Sequence, residues 1–122
     1  MPHLVLEYTD NIGIAIQLTD LFGQLHEAIS QTGGIAIENC KSRAYKLQNY
    51  WTGPGEPDNA FVHLEIQVLE GKTLELKQEL GRRCLGLLRS HFAGVPANLD
   101  LQITIEIRDM PPEFYFKAPG PS

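Results

Sequence analysis

The amino-acid sequence predicts an α+β fold: two tandem β-α-β units sharing a four-stranded mixed sheet, with two helices on one face. Three observations predict it. An alternating apolar–polar stretch, a helical stripe and a second extended stretch follow one another, and the same order recurs after a central loop. Within each unit the two extended stretches are far enough apart for the crossover that parallel pairing requires. The alternation makes one sheet face apolar and the other polar, which puts both helices on the same side.

The elements follow in chain order. HLVLEY is a short strand with Leu4, Leu6 and Tyr8 on one face and His3, Val5 and Glu7 on the other. DNIG is a turn. Leu18, Leu21, Phe22, Leu25 and Ile29 fall on one face of a helix that Gly33 and Gly34 end. Residues 37 to 51 read as an extended, rather polar strand, closed by the loop TGPGEPDN. FVHLEIQVL alternates, with Val62, Leu64, Ile66 and Val68 on one face. Thr73 is placed to cap a second helix, whose stripe is Leu76, Leu80, Cys84, Leu87 and Leu88. Gly81 and Gly86 weaken that helix by roughly 1 kcal/mol each relative to Ala, and their small size suits a close approach to the sheet. Gly94 and Pro96 close it, and LQITIEIRD is the last strand, with Leu101, Ile103, Ile105 and Ile107 on one face. Residues 1–122 are read as one domain, a pseudo-repeat of 2–52 and 60–117.

Composition narrows the function. The apolar fraction of 43% suits a globular core, and no apolar run is long enough to span a bilayer. No secretory leader precedes the first strand, and two cysteines without metal spacing suit a reducing compartment, so a cytoplasmic protein is expected. A net charge of −5 argues against a nucleic-acid partner. The four histidines have no metal-ligand spacing and read as surface or packed residues, so no metal is expected.

Pro2 raises a chemical question. A proline is tolerated at the first position of a strand, because it lacks an N–H. Once Met1 is removed it is also a free secondary amine, the one backbone group able to act as a base near neutral pH.

The segment VLEGKTLELKQEL resembles the turn-and-helix segment of the 4-oxalocrotonate tautomerase subunit, a chain that begins with a catalytic proline. PHLVLEYTDNI, the YxxxW-like centre and AFVHLEI resemble a longer relative of the same tautomerase superfamily, the 5-carboxymethyl-2-hydroxymuconate isomerases. The likeness runs from Pro2 to about Lys117. It implies fused β-α-β units with a short C-terminal strand or hairpin, a homotrimer, and active sites near subunit boundaries. It also implies a cofactor-free isomerase converting a carboxylated 2-hydroxymuconate-type dienol to its unsaturated ketone in aromatic-compound breakdown.

The same resemblance assigns roles. Pro2 is the catalytic base and acid. Lys41 stands where the family has an electrophilic arginine, Arg43 shares its strand face, and Lys72 stands at the arginine of the turn. Phe114 in EFYF matches the pocket phenylalanine, and Tyr50 and Trp51 are weaker candidates for the same wall. Two lysines in place of arginines lose the bidentate fork to a carboxylate. Aligning the units sets Val62 opposite Pro2, Ile12 opposite Lys72 and Leu101 opposite Lys41, so a trimer is expected to hold three sites, not six. Two alternatives remain open: a non-catalytic trimeric binding protein of the same fold, and an unrelated ferredoxin-like ligand-binding domain.

Overall fold

The computed structural model describes residues 1–121. Strand β1 (His3–Thr9) leads through a turn to helix α1 (Leu18–Gly33) and strand β2 (Lys41–Leu47). Strand β3 (Asn59–Leu69), helix α2 (Leu74–His91) and strand β4 (Asp100–Met110) repeat the plan. The sheet order is β2-β1-β3-β4. Each unit pairs its own strands in parallel, and the units join antiparallel through β1 and β3. The ferredoxin-like alternative is thereby set aside, because its two units interleave their strands and these do not.

The core lies between the sheet and the helices. Leu4 and Leu6 of β1 and Val62, Leu64 and Ile66 of β3 are fully buried, while their strand neighbours are not. Leu21, Leu25 and Ile29 of α1, and Leu80, Cys84 and Leu88 of α2, close over them. Burial pushes the Cys84 thiol up to about 11, against the smaller opposing pull of Arg83, so this cysteine packs and does not react. The Thr73 side chain accepts from Leu76 N at 3.2 Å, as its position predicts. Gly34 ends α1 in the left-handed conformation at φ 63°, where a side chain would be strained.

Four expectations change. The stretch after α1 is not one long strand, because a 3₁₀ turn at Ile37–Asn39 precedes β2. No strand or hairpin follows β4 among the described residues. Pro111 and Pro112 cannot donate to a ladder, and a 3₁₀ turn at Pro112–Phe114 takes its place. The helix glycines are not forced by close approach: a Cβ on Gly81 would meet Ile107 at an ordinary 3.6 Å, and one on Gly86 would meet open space. Finally, the partner of Lys41 in the second unit is not Leu101. The strands leading into the helices end at Thr9 and Leu69, and the following residues donate alike, Asp10 N to Leu47 O and Glu70 N to Met110 O. On that alignment Pro2 matches Val62, as expected, and His3 matches His63. His3 pairs with Lys41, whereas His63 pairs with Thr104.

Candidate active site

The first residues of β1 and β2 and the last residues of β3 and β4 meet at one end of the sheet. Pro2 is buried there, and its carbonyl accepts from Lys41 N at 3.1 Å. This bond ties the start of the chain to the start of β2. Side chains alternate along β2, so Lys41 and Arg43 share the outer sheet face with His3 and Val5. The helix face of the same strand carries Ser42, which lies 2.6 Å from His26 of α1.

Cations crowd the chain start. Lys41 is exposed, and its ammonium donates to Asn39 O at 3.2 Å. The terminal amine of this chain belongs to Met1. Burial lowers its pKa from the usual 8.0, Lys41 and then Lys117 lower it further, and Cys40 opposes them. Lys117 thus joins the cationic surroundings from the C-terminal segment.

His3, which the sequence reads as an ordinary surface or packed residue, sits at the centre of a polar chain. An Arg43 Nη1 N–H donates to its Nδ1 at 2.8 Å, and its Nε2 lies 3.0 Å from the Tyr115 hydroxyl. The two rings meet edge to face at 5.9 Å and 66°. Burial, then Arg43, the terminal amine and Lys41 hold the His3 pKa below 6.5. The imidazole is therefore neutral at pH 7, with its Nδ1 lone pair held by Arg43. Tyr115 stands beside Phe114 in EFYF, but only the folded chain brings it to His3, across 112 residues.

The other expected site residues are less tightly placed. Lys72 is half-buried in the turn between β3 and α2, at the same end of the sheet as Pro2. Among the described residues it makes no hydrogen bond or ion pair. Phe114 is 74% exposed, so within one chain it shields little of Pro2 from water. Within one chain Tyr50 and Trp51 do not join this wall. They follow the far end of β2, about 20 Å along the strand from Lys41. There they line a separate cleft of about 220 Å³ with Thr52, Gly55 and Asn59.

Comparison with known proteins identifies the family. The sequence model of the 5-carboxymethyl-2-hydroxymuconate isomerase family matches residues 2–119. The chain belongs to this family. It is an isomerase of the tautomerase superfamily and shares the fold of its structures. It is 29% identical over 117 residues to the Escherichia coli 5-carboxymethyl-2-hydroxymuconate Δ-isomerase, covering 96% of this chain and 93% of that one. The crystal structure of a 5-carboxymethyl-2-hydroxymuconate isomerase from Deinococcus radiodurans superposes with a TM-score of 0.87 at 32% identity, covering 98% of this chain and 90% of that one. A fused 4-OT symmetric trimer shares the fold, with a TM-score of 0.72 at 20% identity, covering 98% of this chain and 94% of that one.

Proposed function

We propose that, once Met1 is removed, Pro2 acts as general base and then general acid in isomerising a 5-carboxymethyl-2-hydroxymuconate-like dienol to its unsaturated ketone. The observation that carries this reading is the setting of the chain start: a buried proline beside Lys41, in surroundings that already hold a terminal amine below 8.0. The same causes, burial and the nearby lysines, would favour the neutral form of an amine at Pro2, the form a base needs. The amine takes the proton of the 2-hydroxyl group. The O–H electron pair becomes the second C–O bond, and the diene electrons shift along the chain to carbon. The ammonium returns the same proton to that carbon, and the base is restored. The sequence of steps needs no metal or organic cofactor.

Lys41 and Arg43 bind the carboxylate and the oxygen that gains negative charge. Lys72 and Phe114 complete the site from a neighbouring subunit of a homotrimer. The exposed Phe114 and the trimeric assembly of a structure sharing the fold support this placement. The protein would work in the cytoplasm, in the breakdown of aromatic compounds. Among the described residues no helix is long and apolar enough to cross a membrane.

A second reading rests on the resemblance, which expects arginines where Lys41 and Lys72 stand: lysines give up bidentate recognition, which would suit a trimeric binding protein without turnover. Ketonisation of a 2-hydroxymuconate-type dienol separates the two. Protein whose mass shows that it begins at Pro2 is expected to turn over, and protein retaining Met1 or carrying Pro2→Ala to lose most of that rate. Dicarboxylate binding without turnover by the Pro2-initiated chain would establish the second reading instead.

A further inference from the structure

The chain Arg43–His3–Tyr115 has a consequence for the direction of its hydrogen bonds. A guanidinium only donates, so His3 Nδ1 must accept from Arg43 and cannot carry a proton. The neutral ring then carries its proton on Nε2 and donates it to the Tyr115 oxygen at 3.0 Å. Tyr115 therefore accepts from His3, and its own O–H proton meets no acceptor among the described residues. A tyrosine serving only to anchor the C-terminal segment would have donated to the imidazole; here Arg43 prevents it.

The free O–H lies among cations. His3 directly follows Pro2, Lys41 pairs with His3 across the strands, and Lys117 follows Tyr115 by two residues. Arg43 uses one of its five N–H donors on His3 and keeps the rest. Donors and positive charge thus converge on the outer side of the chain start, and an anionic oxygen there would meet a polarised phenol.

We propose that Tyr115 donates its hydroxyl proton to a carboxylate or dienolate oxygen of the substrate, and that His3 is the positioning residue that leaves this proton free. The assignment rests on the reading of Pro2 as the base. It adds a recognition element from the C-terminal segment that offsets part of what the lysines at 41 and 72 give up relative to arginine.

The test is ketonisation of a 2-hydroxymuconate-type dienol by Pro2-initiated protein carrying Tyr115→Phe, His3→Leu, His3→Gln or Pro2→Ala, with folding checked by circular dichroism. Tyr115→Phe is expected to lower kcat/KM roughly 10- to 100-fold, as loss of one donor to a developing oxyanion does, without moving the pH midpoint set by the amine. His3→Leu should match that loss, and His3→Gln, whose amide N–H can still donate to Tyr115, should recover part of it. Tyr115→Phe within twofold of the unmodified protein, while Pro2→Ala is inactive, would overturn the proposal and leave the proline mechanism standing. Full activity of Pro2→Ala would overturn both. If the protein binds muconate without turnover, Tyr115→Phe must still weaken that binding, and an unchanged affinity would overturn the proposal.

Discussion

His3 and His63 stand at matching places in the two β-α-β units, on the same sheet face, and meet opposite charges. His3 accepts from Arg43 at 2.8 Å and reaches Tyr115. His63 hydrogen-bonds to Thr104 at 2.7 Å and lies 3.9 Å from the Glu106 carboxylate. By register Thr104 stands where Lys41 stands in the first unit, and Glu106 where Arg43 stands. Glu65 and Arg108 add a further ion pair at 3.7 Å to the second unit's face. Val62, opposite Pro2, is buried in mid-strand and has no free amine. One backbone plan thus serves two ends: the first unit gathers cations around a chain terminus, and the second neutralises its own charges. The difference teaches that the duplicated fold supplies position, while the outward-facing residues of each strand set the charge that each copy presents.

The comparison can be broken first at the helices, where the units are most alike. Leu25 lies between the buried Leu21 and Ile29 of α1, and Cys84 between the buried Leu80 and Leu88 of α2. Leu25→Ala should cost about 2–5 kcal/mol in urea unfolding, since it leaves a cavity in a close-packed core. Cys84→Ala should cost only about 1 kcal/mol, because little more than one sulfur is removed. Equal costs would show that the two helices do not share the core as described.

Exchanging charges sharpens the contrast on the outer face. Arg43→Glu gives the first unit the residue of the second and is expected to lower kcat/KM for a carboxylated dienol roughly 100-fold. Glu106→Arg performs the reverse exchange on a unit without an amine and should change kcat/KM less than about twofold. A new activity in that variant would contradict the division of labour.

Titration gives smaller effects with definite signs. If Pro2 is the base it must be neutral, so kcat/KM should rise with pH along a limb displaced downward by the same causes that lower the terminal amine of Met1: burial, then Lys41 and Lys117. Lys41→Met removes one of these causes and should move the limb to higher pH, though burial keeps part of the displacement. The smallest effect belongs to His3. Its NMR titration should have a midpoint below 6.5, raised in part by Arg43→Gln, because burial is the first cause and Arg43 the second. A lowered pKa favours the neutral form in the fold. The contribution of His3 to stability is therefore complete above about pH 6.5 and is lost as pH falls below it.

Much of the fold was legible because strand and helix periodicities are local. The alternation of β1 and β3, both helical stripes and the Thr73 cap are written in neighbouring residues. The β4 alternation was legible too, although its apolar residues stay half-buried at the sheet edge. Registers were not legible. The partner of Lys41 was misplaced by three residues because His3 pairs with a residue 38 positions on and His63 with one 41 positions on. The placement of Pro2, Lys41 and Arg43 at one sheet end follows from sequence pattern and resemblance together. The polar chain through His3 and Tyr115 does not, because it links residues 112 apart whose types are unremarkable alone. Its only local signs were an outward histidine directly after Pro2 and a tyrosine beside Phe114. Within one chain Tyr50 and Trp51 lie at the far end of β2 from Pro2, which their aromatic character alone does not show.

The claim that one unit alone carries the base is tested most directly by covalent labelling. A neutral secondary amine adds to the triple bond of an acetylenic 2-oxo acid: an N–C bond forms, and the proton ends on carbon. Intact mass and peptide mapping of Pro2-initiated protein treated with such a reagent should show one label per chain, on the peptide that begins with Pro2. A second label on the same chain, or a single label on a peptide from residues 59–110, would contradict the account.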